Sequence, residues 1–114
     1  MNFESFNLHP SIMTGVRALG YVTPTPIQLQ AIPPILQGQD IIGLAQTGTG
    51  KTAAFVLPIL QHLMQGQRGC VRALIIAPTR ELAEQIHEAA HGLGKQTRLR
   101  SATVYGGVNM TPQI

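Results

Sequence analysis

A single segment, Ala45-Gln46-Thr47-Gly48-Thr49-Gly50-Lys51-Thr52, most narrows what this chain can fold into. It lies between a short apolar run, Asp40 to Ala45, and a stretch with helical character from about Lys51 to Met64. Strand, Gly/Thr-rich loop, helix is the context that a phosphate-cradling loop requires. Glycines let the backbone curl so that successive N–H groups converge on an anion. The helix N-terminus adds partial positive charge. Lys51 is then expected to reach the β- and γ-phosphates of a nucleotide, and the Thr52 hydroxyl to ligate Mg²⁺. The general pattern has Gly where this chain has Ala45. The competing reading is a plain flexible turn before a helix.

The remaining periodicities build an α/β unit around that loop. Leu8, Ile12, Val16 and Leu19 recur at helical spacing, with Pro10 near the start and Gly20 after the end. A second helix opens at Thr25-Pro26 and closes near Gly38, and Pro33-Pro34 is expected to divide it into two short turns. Ala73 to Ala77 reads as a second buried strand, Glu81 to Leu93 as a long helix, and Leu99 to Tyr105 as a third strand. Strands alternating with helices predict a mostly parallel sheet covered on both faces. Thr111-Pro112 reads as another helix start, two residues before the end.

Bulk properties narrow the setting. At 114 residues the chain suits one small domain, and 44% hydrophobic residues against 11% charged ones allow a packed core. A formal charge of +3 favours an anionic partner. Cys70 is the only cysteine, so no internal disulfide forms, in keeping with a reducing compartment. The N-terminus has no signal-peptide pattern, and the longest apolar run, broken by Pro58, is too short to span a bilayer. A cytoplasmic protein without membrane association is expected.

Upstream of the loop stands Gly20-Tyr21-Val22-Thr23-Pro24-Thr25-Pro26-Ile27-Gln28, with Phe3 well before it. Pro78-Thr79-Arg80-Glu81-Leu82-Ala83 follows the second expected strand, and Gly106-Gly107 the third. With these in view the chain resembles the DEAD-box RNA helicases over essentially its whole length. The first stretch is similar to their Q motif and the loop to their motif I variant, in which Ala45 is the usual departure. The last two are similar to motif Ia and the GG element.

The resemblance implies a three-layer RecA-like domain that is incomplete at its C-terminus. Residues 1–28 would form the Q-motif region and residues 29–114 part of the ATP-binding domain, with the second RecA-like domain absent. It implies that Gln28 reads the adenine edge, because a carboxamide offers one donor and one acceptor. Phe3 would stack on the base, with Tyr21 as the second candidate. ATP and Mg²⁺ are the implied cofactors. Pro78, Thr79, Arg80, Gly106 and Gly107 would hold RNA by its sugar–phosphate backbone, without regard to sequence. For each motif a bland alternative stands: Phe3, Phe6 and Tyr21 as core, Arg80 as a solvated residue beside Glu84, and Gly106-Gly107 as a turn. Arg98 and Arg100 could extend the basic track or simply face solvent.

The parent protein would be an RNA-dependent ATPase that separates short duplexes or remodels ribonucleoprotein, of the compact bacterial type. Its hydrolytic acids belong on a later strand. The acids present are Glu4, Asp40, Glu81, Glu84 and Glu88, none of which suits that place. The 114 residues alone are therefore expected to bind nucleotide weakly and not to unwind, with an unpaired apolar sheet edge exposed. A non-catalytic nucleotide-binding module is the alternative. A remoter one is a zinc protease built on His87-Glu88-Ala89-Ala90-His91. Its histidines are expected to face solvent, away from a stripe of Leu82, Ala83, Ile86, Ala89, Ala90 and Leu93, and no further ligand type follows His91. Ser101-Ala102-Thr103 spells the family's S-A-T motif but stands in the wrong order.

Overall fold

Four helices carry the packing: α1 (Pro10–Ala18), α2 (Pro26–Leu36), α3 (Lys51–Leu63) and α4 (Arg80–Leu93). Short 3₁₀ turns at Phe3–Phe6 and Lys95–Thr97 flank them. The computed structural model describes residues 2–44, 50–66 and 70–103.

Helices α1, α2 and α4 begin where a side chain accepts from a free N–H group of the first turn. In α1 the His9 ring accepts from Ser11 N–H at 3.1 Å and Pro10 occupies the first turn. Past its C-cap Leu19 stands Gly20, whose φ of 78° favours glycine, and Tyr21 N–H closes back on Val16 at 3.1 Å. Ile12, Met13, Gly15 and Val16 form its buried face; of the expected stripe Leu8, Ile12 and Val16 are buried, whereas Leu19, past the helix end, is exposed. Gly15 lets α1 approach the end of α4, because a Cβ at that position would collide with the Leu93 carbonyl.

Helix α3 is the hub. Ala53, Ala54, Val56, Leu57, Pro58 and Leu60 are buried along it, and it packs against α2 on one side and α4 on another. Cross-links fix its C-terminal end: Gln61 Oε1 accepts from His9 N–H at 2.7 Å, and His62 Nε2 lies 3.0 Å from the Ile35 carbonyl. The core joins Phe3, Phe6 and Leu8 to Ile12, Val16, Ile32, Leu57, Leu60, Ile86 and Leu93. Helix α1 therefore shares one apolar interior with the phosphate-loop helix.

One expectation needs correction. Pro33 and Pro34 do not divide the second helix, since α2 runs unbroken through both. Each lacks the N–H that would bond the carbonyl four residues back, of Leu29 and of Gln30, so the helix continues with two bonds fewer. Their carbonyls still accept, from Gln37 N–H at 3.2 and 3.1 Å.

Of the expected strands, residues 40–44 and 73–77 form no ladder, Ala45 lies outside the described residues, and no strand occurs among those described. A strand exists only through hydrogen bonds to a neighbour. Here Ile42 is 93% and Leu74 82% exposed, and Leu44, Val71 and Ile76 are exposed as well. The third expected strand is described only to Thr103, also without a ladder, and the expected helix start at Thr111-Pro112 lies outside the described residues.

Candidate nucleotide-binding site

The N-terminus of α3 is the natural place to begin. Gly50 is its N-cap, at φ 79° and ψ 22°, a left-handed conformation that glycine adopts without penalty. Lys51 opens the helix and is exposed, and Thr52 follows it, half-buried. Ala45, Gln46, Thr47, Gly48 and Thr49, the rest of the expected phosphate loop, lie outside the described residues.

Helix α2 reaches this point through its own cap. Thr25 and Gln28 form a reciprocal capping box. The Thr25 N–H donates to Gln28 Oε1 at 2.9 Å, and Gln28 N–H donates to Thr25 Oγ1 at 3.5 Å. The other end of the same carboxamide continues outward, with Gln28 Nε2 donating to the Gly50 carbonyl at 3.0 Å. Gln28 is 2% exposed, so both bonds form away from bulk water, where a polar side chain without partners is costly.

Gly50 is confined from that side as well. A Cβ there would lie 2.5 Å from Gln28 Nε2 and 3.2 Å from Thr25 Oγ1. The structure thus joins the candidate adenine reader to the first residues of the phosphate-loop helix. Thr25 was missing from the expected site. Its signal was present in the Thr-x-x-Gln spacing, which marks a capping box before it marks anything else.

Phe3 and Tyr21 stand farther back. Phe3 is 3% exposed, with its ring 5.8 Å from Phe6 edge-on and 5.9 Å from a tilted Tyr21. Tyr21 is half-buried. Stacking on a base requires a free aromatic face, and in this arrangement Phe3 is occupied by its neighbours.

At the other expected site, Thr79 caps α4 by accepting from Leu82 N–H at 3.1 Å. That bond uses the hydroxyl as an acceptor and leaves its O–H to donate. Pro78 and Arg80 are exposed beside it, whereas Gly106 and Gly107 lie outside the described residues.

The histidines of α4 behave differently from expectation in one respect. His91 is exposed, but His87 is half-buried, with Nδ1 2.9 Å from Ser101 Oγ. Among the described residues no group of three His, Cys, Asp or Glu could hold a metal ion, so the zinc reading lacks a ligand set. None of their helices is long and apolar enough to cross a membrane.

Packed helices share one core, with a glycine-capped helix start carrying Lys51 and Thr52, and comparison with known proteins gives the class to which this arrangement belongs. The DEAD/DEAH box helicase profile matches residues 25–114. The ATP-dependent rRNA helicase RRP3 of Meyerozyma guilliermondii is 53% identical over 111 residues, which is 97% of this chain and 23% of that protein. The crystal structure of the RNA helicase Prp28 from Chaetomium thermophilum bound to ADP superposes with a TM-score of 0.89 at 40% identity, over 98% of this chain and 28% of that one. A DEAD box protein from Methanococcus jannaschii gives a TM-score of 0.86 at 35% identity, over 99% and 31%.

The chain belongs to the DEAD/DEAH box helicase family. It follows the backbone path of that family's solved structures and spans about a quarter of the length of the curated relatives it matches. These relatives are fungal and archaeal, and they lend no support to the compact bacterial type.

Proposed function

We propose that this chain is the nucleotide-binding front portion of an ATP-dependent RNA helicase. In this reading residues 1–28 form the adenine-side region and residues 29–114 part of a RecA-like domain, whose parallel sheet is built from the segments 40–45, 73–77 and 99–105 with further strands. The carrying observation is the Gln28–Gly50 hydrogen bond at 3.0 Å, which links an adenine-reading side chain to the phosphate-loop helix. A 40% identical relative, Prp28 from Chaetomium thermophilum, was solved bound to ADP, which supports a nucleotide-binding reading.

The residues present fit ATP and Mg²⁺. Gly50 supplies a left-handed turn, Lys51 an exposed cation and Thr52 a hydroxyl, all at a helix N-terminus that favours phosphate. Ala45 to Thr49 would complete the cradle with backbone N–H groups. Mg²⁺, held by Thr52 and phosphate oxygens, would neutralise charge on the triphosphate. Lys51 would hold the β- and γ-phosphates in register.

Gln28 has spent one of two donors and one of two acceptors within the protein. The remaining pair is what the N6 and N7 edge of adenine requires.

Pro78, Thr79, Arg80, Gly106 and Gly107 would grip RNA phosphates, with the free Thr79 O–H and the Arg80 guanidinium as donors. The 114 residues alone would bind and not hydrolyse. Helix α3 carries no acid, and Glu81, Glu84 and Glu88 sit on α4. In the intact protein the outcome would be RNA-dependent ATP hydrolysis coupled to local duplex separation, in the cytoplasm. Titration of the chain with labelled adenine and guanine nucleotides in Mg²⁺ tests this. Adenine should bind and guanine should not, and equal binding of both would remove Gln28 from its role.

A further inference from the structure

Beyond the far end of α4 lies a run of cations that the motifs do not use. We propose that Lys95, Arg98 and Arg100 form a second contact for RNA phosphates, apart from the motif Ia contact. The proposal rests on the RNA-binding reading given above, and extends it to residues that reading leaves idle.

The corner that carries them is built, not loose. Thr97 is 4% exposed, and its hydroxyl donates to the Gly94 carbonyl and accepts from Leu99 N–H at 3.1 Å. These bonds hold Arg98 at φ 64°, a left-handed conformation that a side-chain-bearing residue adopts only under constraint. The constraint sets the direction of the residues that follow, Leu99 to Thr103.

From Leu99 onward the chain runs back along α4. Ser101 Oγ meets His87 Nδ1 at 2.9 Å, and Thr103 Oγ1 donates to Glu84 Oε1 at 3.1 Å. Advancing two residues in the segment moves three residues back on the helix. Ser101 and Thr103 therefore turn toward α4, which leaves Arg100 and Ala102 on the opposite side, while Arg98 is exposed at the left-handed turn before them.

Lys95, Arg98 and Arg100 form no ion pair among the described residues, where the single salt bridge joins Arg17 to Glu4. Glu84 is already engaged by Thr103. The patch is thus of one sign and unneutralised. None of the exposed large hydrophobic side chains falls between Gly94 and Thr103, so it offers nothing to an apolar partner or a lipid interior. Flexible cations on an extended polar surface suit a repeating phosphate chain.

Distance makes this a separate contact. Helix α4 has 14 residues, so Arg80 at its start and Lys95 beyond its end stand roughly 20 Å apart at about 1.5 Å per residue. One phosphate cannot serve both ends.

The experiment measures binding of labelled polyuridylate to the 114-residue chain across a range of salt. It compares the unsubstituted protein with a Lys95→Gln, Arg98→Gly, Arg100→Gln triple variant and with Arg98→Gly alone. The triple variant should bind more weakly, with a slope of log K against log salt shallower by about 2, at roughly 0.7 per phosphate contact on single strands. Arg98→Gly alone should lose part of that slope while its melting temperature stays level or rises, since glycine relieves the left-handed φ. A purely structural role would lower both.

An unchanged slope in a folded triple variant overturns the second contact and leaves the helicase reading intact. Competition by polyglutamate as effective as by RNA overturns the choice of nucleic acid. No polyuridylate binding by the unsubstituted chain removes the RNA reading itself, and this contact with it.

Discussion

Gln28 Nε2 donates to the Gly50 carbonyl at 3.0 Å while Gln28 Oε1 accepts from Thr25 N–H at 2.9 Å. One buried carboxamide thereby closes the cap of α2 and holds the first residue of the phosphate-loop helix start. The two halves of the capping box are unequal, because the Thr25 hydroxyl accepts from Gln28 N–H only at 3.5 Å, the edge of useful hydrogen bonding.

That inequality ranks two substitutions. Gln28→Leu leaves the Thr25 N–H and the Gly50 carbonyl without their partner in a water-poor site, and should cost about 1–3 kcal/mol. Thr25→Ala removes the longer bond and should fall near the low end of cap losses, about 0.5 kcal/mol. Urea denaturation of the two variants measures the difference. A larger loss for Thr25→Ala would mean that the box is held the other way round.

Gly50 meets two demands at once. Gly50→Ala imposes a side chain on φ 79°, at roughly 1–2 kcal/mol, and brings a Cβ to 2.5 Å from Gln28 Nε2. Moving that nitrogen gives up a further bond worth about 1 kcal/mol. The combined loss should be about 2–3 kcal/mol, with nucleotide affinity falling alongside. Thermal unfolding with and without nucleotide reads both, and wild-type stability in the variant would contradict the geometry.

Gly15→Ala sets helix propensity against contact. Alanine should favour α1 by about 1 kcal/mol in isolation. Here its Cβ would strike the Leu93 backbone carbonyl, which has no rotamer by which to withdraw. Overpacking of this kind typically costs about 1–3 kcal/mol, so the net change should be destabilising. A rise in denaturation midpoint would show that α1 and α4 can separate at little cost.

Helix boundaries were legible in the sequence because their signals are local. His9-Pro10 and Gly20 around α1, Thr25-Pro26 before α2 and Thr79 before α4 all act within a few residues. Pro33-Pro34 misled because proline removes an N–H donor and so reads as a break, yet α2 continues through the pair without those two bonds. The segments 40–44 and 73–77 have strand character, yet a ladder depends on a partner that no local pattern supplies.

Within the site, the chemistry of Gln28 was legible as a donor–acceptor pair. Its bond to Gly50 spans 22 positions and was not. His87 was read as solvent-facing from its angle on the helix, and the returning Ser101 could not enter that estimate.

The account rests on a triphosphate held at the start of α3, and Lys51 is the side chain whose charge it depends on most. Isothermal titration of the chain and of Lys51→Ala with ATP and Mg²⁺ tests this directly. The account predicts measurable binding for the unsubstituted chain and none for the variant, with both equally folded by circular dichroism. Undiminished ATP binding by a folded Lys51→Ala would contradict it.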